Sequence, residues 1–310
     1  MKYIKPSLCC ISLILQQQGI KSSKMTRSQF LSMDRKLSNK LIADKTLNNV
    51  YVVRKTLELC AKNNWNYRIS SGMMPLETLP DIGFKIEDCY NFSKIQHEFD
   101  LSTKLIQTHN IRCSTHPDQF VVPASPKQDV AQKSAYELSI IGKMMDMFGL
   151  RQDYYNPINI HMNCFKNMDL NDTSNRFVDV FNSLPTSVKS RLVLEVEDKP
   201  NSWGVDDLYK YIFEKTGIPI TYDSHHFRLN NPKQMTPNEA IKKCISTWKN
   251  HVPLFHYSNG KSGESDRSHS DYVNVLHEEL FDDTQDINVE FEFKMKDLAI
   301  QQFTDTMFPF

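Results

Sequence analysis

Short apolar runs alternate with longer amphipathic ones about eight times along the chain. The short runs cover residues 9–15, 67–70, 111–115, 158–161, 192–195, 218–223, 252–256 and 287–292. Each has the length and the apolar, often β-branched content of a buried strand. Between them the periodicity turns helical. Residues 48–62 place Val52, Val53, Leu57, Leu59 and Cys60 close to a 3.6-residue repeat. Residues 127–148 do the same with Val130, Tyr136, Leu138, Ile141, Met144 and Met145, and residues 206–215 with Leu208, Tyr211, Ile212 and Phe213. Thr236-Pro237-Asn238-Glu239 opens a further helix with a capping hydroxyl, an early proline and a first-turn acid. Residues 26–45 read as a polar insertion, a loop with a short helix on the upper face. Eight strand–helix pairs predict an α/β fold, a single (β/α)8 TIM barrel spanning residues 1–310. A doubly wound open sheet is the alternative. Its dinucleotide-binding form is disfavoured, because no GxGxxG follows a strand.

Composition narrows the picture little. The chain is 40% hydrophobic and 24% charged, with 37 basic and 37 acidic residues and a formal net charge of zero. That argues for neither DNA nor membrane as a partner, although a local basic rim suffices for DNA. Seven scattered cysteines without a CxxC fit free thiols in a reducing compartment. No run approaches the roughly 18 apolar residues of a membrane span. The apolar segment behind Lys2 and Lys5 resembles a weak signal peptide, but Gln16, Gln17 and Gln18 stand where small residues would mark a cleavage site, so a first core strand is the better reading. A soluble, intracellular monomer is expected.

The chemistry lies where the strands stop, the end of such a barrel that carries active sites. The third run ends in Thr115-His116-Pro117-Asp118-Gln119-Phe120, the fourth in Asn159-Ile160-His161 and the fifth in Glu195. The sixth ends in Asp223-Ser224-His225-His226 and the seventh in His256; the eighth passes through Glu290 and Glu292. His269 follows in the loop after the seventh. Singly, each has an ordinary explanation, such as a helix cap or a surface imidazole. Together they form a ring of imidazoles and carboxylates with no matching Arg or Lys, and divalent cations neutralise such a ring most economically. The candidates His116, His161, Glu195, Asp223, His226, His256, His269 and Glu292 exceed one ion's needs, so two or three are expected. Glu290 and Glu292 share a face by period-two alternation; Glu292 is chosen because the following Lys294-Met295-Lys296-Asp297 fixes the register. Such a cluster suits phosphodiester hydrolysis or isomerisation of a sugar.

At these residues the chain resembles the UV damage endonucleases of the UvdE/UvsE type, relatives of endonuclease IV among the xylose-isomerase-like barrels. The resemblance is carried by Tyr67-Arg68-Ile69-Ser70-Ser71, His116 to Phe120, Leu192 to Glu195 with Asp198-Lys199, Asp223 to His226, Phe255 to Ser258, His269-Ser270-Asp271 and Glu292 to Asp297. It implies incision of damaged double-stranded DNA immediately 5′ to cyclobutane dimers or 6-4 photoproducts, leaving a 3′-hydroxyl and a 5′-phosphate. It also implies that the eight candidates ligate metal, with manganese the expected ion and zinc or magnesium possible substitutes. Glu195, Asp223 and Glu292 would be the catalytic carboxylates. Gln119 and Phe120 match a glutamine–aromatic pair that enters the duplex; Phe120 could otherwise simply pack under the rim. Arg68, Lys199 and Arg228, with Lys127, Lys166, Lys261 and Arg267, are rim candidates for DNA contact. Three positions depart from the family pattern: Gly72 where some relatives carry a metal-binding His, Leu254 where many carry Lys, and Leu8 where an aromatic residue is usual. An abasic-site nuclease of the endonuclease IV type and a sugar isomerase are the alternative functions. His225 is expected to turn aside, as a residue behind the cluster or one facing DNA, so its loss should weaken activity where loss of Asp223 or His226 abolishes it.

Overall fold

The computed structural model describes residues 4–164, 169–200, 202–282 and 286–307. Eight parallel strands run β1 (Pro6–Cys9), β2 (Asn66–Ser70), β3 (Cys113–His116), β4 (Ile158–Ile160), β5 (Leu192–Glu195), β6 (Ile220–Thr221), β7 (Leu254–Tyr257) and β8 (Asn288–Phe291). Their order in the sheet is β6-β5-β4-β3-β2-β1-β8-β7. Sequential neighbours pair from β1 through β6 and again from β7 to β8, and β1 also pairs β8. The remaining edge, β6 against β7, is joined by the isolated parallel bridge Asp223–His256, where the His256 amide donates to the Tyr222 carbonyl at 2.9 Å. The sheet therefore closes on itself, as the barrel reading requires, and does not remain an open doubly wound sheet. Strands of a closed parallel sheet are buried on both faces, which is why they read as short apolar runs without clean alternation.

Three elements differ from the sequence reading. The first strand is Pro6–Cys9, and Leu13–Gln17 is a helix. Cys10 adopts a positive φ of 67°, which ends the strand, and the Ser12 hydroxyl accepts from the Leu15 amide to start the helix. Asp297, from the far end of the chain, accepts from the Leu13 and Ile14 amides at 2.9 and 3.1 Å. Apolar content alone cannot separate a strand from a short buried helix. The sixth strand contracts to Ile220–Thr221, with Asp223 beyond it as a helix N-cap. The 26–45 segment does contain the short helix Arg27–Leu31, but from Arg35 onward it belongs to a helix running to Asn63. The Asp34 carboxylate caps that helix through the Lys36 and Leu37 amides. Its first turns are polar and Leu37 is exposed, so no apolar stripe announces them.

The floor of the barrel, at the strands' N-terminal ends, is held by a fully buried arginine. Arg112 donates to the carbonyls of Tyr155 at 2.7 Å, Tyr154 at 3.2 Å and Pro253 at 3.3 Å, and to the Asn288 side chain at 3.1 Å. One side chain thus ties the starts of β3, β4, β7 and β8. No helix among the described residues is long and apolar enough to cross a membrane.

Candidate metal centre at the strand ends

Glu195, the last residue of β5, is the hub. Its side chain is buried, and Asn159 on β4 donates an amide hydrogen to it. Around it stand four imidazoles from four different strand ends. His116 Nε2 lies 3.0 Å from Oε2, His256 Nδ1 3.1 Å, His161 Nε2 3.7 Å, and His226 Nδ1 3.0 Å from Oε1. Asp223 adds a carboxylate 3.9 Å from His256 Nδ1. On the far side Glu292 Oε1 is 3.3 Å from His256 Nδ1, and Glu292 Oε2 is 3.9 Å from His269 Nδ1. All eight residues expected to ligate metal thus occupy one connected cluster.

The protons in this cluster are arranged for cations. A carbonyl can only accept, so His116 Nδ1 gives its hydrogen to the Pro117 carbonyl at 2.9 Å, and His269 Nδ1 gives its own to the Glu292 carbonyl at 2.8 Å. Both rings therefore turn Nε2 outward as the lone-pair nitrogen, the tautomer that a metal-binding imidazole needs. In a neutral ring that lone pair of His116 faces the carboxylate of Glu195 at 3.0 Å, a repulsive pairing unless a positive charge joins them. About 3 Å is also the separation of neighbouring ligands at right angles on bonds of roughly 2.1 Å. Burial would raise the Glu195 carboxyl, yet the imidazoles around it, His256 foremost, hold it well below the carboxylate range. Burial likewise opposes protonation of His226, but Asp223 and Glu195 push it up to about 10. His161, buried and less favourably placed, is brought down to about 4 and stays neutral. His161 Nδ1, His256 Nδ1 and Asp223 Oδ2 are buried with no hydrogen-bond partner among the described residues. Ligand atoms of His116, His161 and Glu195, and of Glu195, Asp223 and His256, fall within 4.8 Å of one another. Orphaned buried nitrogens and oxygens converging on an ionised carboxylate fit divalent ions.

Two features escape the sequence reading. Glu290 is buried beside Glu292, with His256 Nε2 at 3.2 Å and the Ser114 hydroxyl donating to it. The ring also contains a cation. Arg68, expected on the rim, points inward from β2 and pairs with Glu290 at 3.0 Å and, more closely, with Glu292. In a strand buried on both faces, side-chain type does not tell inside from outside, so Arg68 passes for a rim residue. His225 is buried behind the cluster, its ring 5.7 Å from that of His269.

The rim candidates separate by surroundings. Gln119 and Phe120 form an exposed tip after β3, with Phe120 77% exposed and its amide bound to Asp118. Phe120 therefore does not pack under the rim. Lys127 and Lys261 are exposed, and Lys199 is half-buried after β5. Arg228 is engaged inward, donating to the Ser224 carbonyl and to Glu279, and Arg267 pairs with Asp198. Lys166 lies outside the described residues. A side chain grown from Gly72 would meet nothing within 4 Å, and Leu254 and Leu8 are buried.

Comparison with known proteins places these features. The family model described as UV-endonuclease UvdE matches residues 5–309. The UV DNA damage endonuclease of a Nostoc species is 26% identical over 310 aligned positions, covering 96% of this chain and 89% of the relative. That of Bacillus velezensis is 30% identical over 250 positions, covering 78% and 74%. Among solved structures, that of SacUVDE superposes with a TM-score of 0.82 at 24% identity, covering 98% and 99% of the two chains. Endonuclease IV from Thermus thermophilus superposes at 0.56 with 12% identity, covering 82% and 94%. These two structural likenesses concern the fold.

Proposed function

Because the chain belongs to the UV-endonuclease UvdE family, and is therefore a DNA-cleaving hydrolase of UV-damage repair, we propose that it nicks the duplex immediately 5′ to photoproducts with the help of divalent ions at the strand ends. The observation that carries this reading is the pair of buried, unpartnered ligand atoms, His256 Nδ1 and Asp223 Oδ2, beside the ionised Glu195. His116, His161, Glu195, Asp223, His226, His256, His269 and Glu292 would hold the ions, manganese being the favoured metal. Bound there, divalent ions supply Lewis acidity, neutralising charge on the phosphodiester and making water a better nucleophile at neutral pH.

The chain's own residues then have separate tasks. Glu195, held ionised by its four imidazoles and Asn159, binds cations and does not serve as a proton donor. The Pro117 and Glu292 carbonyls fix the tautomers of His116 and His269, leaving Nε2 of each as the lone-pair nitrogen. Gln119 and Phe120 stand beyond the rim, where an aromatic ring entering the duplex replaces stacking lost at a distorted site. Damaged sites unstack at lower cost than intact duplex, which gives selectivity without a base-specific code. Lys127, Lys199 and Lys261 supply phosphate contacts along the rim.

The test is a nicking assay on a duplex with one defined photodimer, in the presence of Mn²⁺ after chelator treatment. Nicking should depend on the ion, leave a 3′-hydroxyl, and fall more than about 100-fold in Glu195→Gln, beyond what losing an outer-shell partner costs. Activity confined to an abasic duplex, or undiminished in chelator, would overturn the proposal.

A further inference from the structure

The cluster has two ends of different character. Around Glu195 and Asp223 every neighbour is an imidazole or an amide, and orphaned ligand atoms remain. At the other end Glu290 and Glu292 share the guanidinium of Arg68, Glu290 also accepts from the Ser114 hydroxyl, and His256 Nε2 lies 3.2 Å away. The carboxylates at that end are already paired. Yet it has the makings of a third ligand set, because Cys9 Sγ and one oxygen each of Glu290 and Glu292 lie within 4.8 Å of one another. Cys9, fully buried, lies directly across from Arg68 in the β1–β2 pairing, and Ser114 across from it in β2–β3. The register therefore brings Arg68 alongside Cys9 while its guanidinium pairs with the two carboxylates nearest the thiol. An arginine cannot be deprotonated inside a protein, so the charge is permanent.

Resting on the metal-centre reading above, we propose that Arg68 is a positioning residue that keeps divalent ions off the Cys9–Glu290–Glu292 set and confines them to the Glu195–Asp223 end. It does so by standing as a resident cation on the Cys9 side of the two carboxylates, which leaves Glu292 facing His256 and His269 as part of the centre. Two carboxylates and a thiol without a cation form a strong site for borderline and soft metals, with the thiol losing its proton to solvent as it binds. Capture of a thiophilic ion there would pull Glu292 away from His256 and His269. Arg68 thus protects the composition of the centre as well as neutralising its carboxylates.

Cobalt(II) titration of chelator-stripped protein tests this, because a thiolate ligand adds a charge-transfer band in the near ultraviolet that oxygen and nitrogen ligands do not give. Wild type should bind Co²⁺ without that band, and Cys9→Ser should bind the same number of ions with the same spectrum. Arg68→Met should bind one more ion per chain and show the band, and Arg68→Met/Cys9→Ser should lose the band. Arg68→Gln carries the same expectation as Met should that variant not fold, while Arg68→Lys should behave as wild type. A thiolate band in wild type, an ion lost in Cys9→Ser, or no additional ion in folded Arg68→Met or Arg68→Gln overturns this inference and leaves the metal centre standing. Failure of wild type to bind Co²⁺ at all overturns the metal centre, and this inference with it.

Discussion

Replacing Asp223 with Asn, or His226 with Ala, removes a group that touches the Glu195–His256 core of the cluster, whereas replacing His225 removes a ring one layer behind it. Asp223 Oδ1 caps the following helix through the His225 and His226 amides at 2.8 and 2.7 Å, which leaves Oδ2 free to face the centre. The same carboxylate therefore does two jobs with two oxygens. Asp223→Asn should retain the cap, through its amide oxygen, and lose the nicking; the far-ultraviolet circular dichroism stays unchanged while photodimer cleavage falls below detection. His226→Ala should likewise abolish cleavage. His225→Ala should cost about 10-fold, the range for groups that orient a ligand without being one. A loss as severe as that of His226→Ala would place His225 in the centre itself. These contrasts follow from which residues lie two and five positions beyond β6, so Asp223 and His226 were legible in sequence. Arg68 was not, because its role depends on which face of β2 it occupies.

At the level of elements, the loop after β3 carries the sharpest expectation. Its tip exposes Phe120 to solvent while Val121 beneath it is buried, so the ring contributes little to folding. Phe120→Ala should change stability by no more than about 0.5 kcal/mol. A ring that stacks against bases is worth about 1–3 kcal/mol, so affinity for a photodimer duplex should fall roughly 5- to 150-fold in an equilibrium binding assay. Equal affinity for damaged duplex with and without the ring would remove Phe120 from recognition. Most elements could be read from apolar runs and caps: the Thr236–Glu239 capping box forms as its residues predict, with Pro237 in the first turn. Two of the misreadings share a physical source. The helix Leu13–Gln17 is set by Asp297, and the choice between Glu290 and Glu292 dissolves because Arg68 and His256 engage both. Partners hundreds of residues away leave no mark in local periodicity.

Seen whole, the barrel is plugged by charge at both ends. The mouth gathers carboxylates and imidazoles, and the floor holds Arg112, whose buried guanidinium is pushed down to about 10 by desolvation and still keeps its proton at neutral pH. Arg112→Met would leave the Tyr154 and Tyr155 carbonyls without this donor and the Asn288 side chain without its partner, beneath a buried floor. A cost of about 3–5 kcal/mol is expected, read as a shift in the denaturation midpoint with little change in metal binding. Zero net charge fits this economy, since the basic groups that DNA would meet are few and local.

The edge between β6 and β7 gives the mouth a mechanical meaning. One bridge, Asp223–His256, closes the cylinder there, and both residues belong to the proposed ion cluster. The clasp of the barrel and its chemistry thus fall on the same pair of residues, one through backbone and the other through side chains. Ions that draw Asp223 and His256 together would fasten the cylinder at its least-bonded edge, and stripping them would let that edge breathe. Hydrogen exchange at the His256 amide, which donates to Tyr222, should therefore quicken on chelation, while the Thr115 amide, bonded to Pro157 on the opposite wall, keeps its protection.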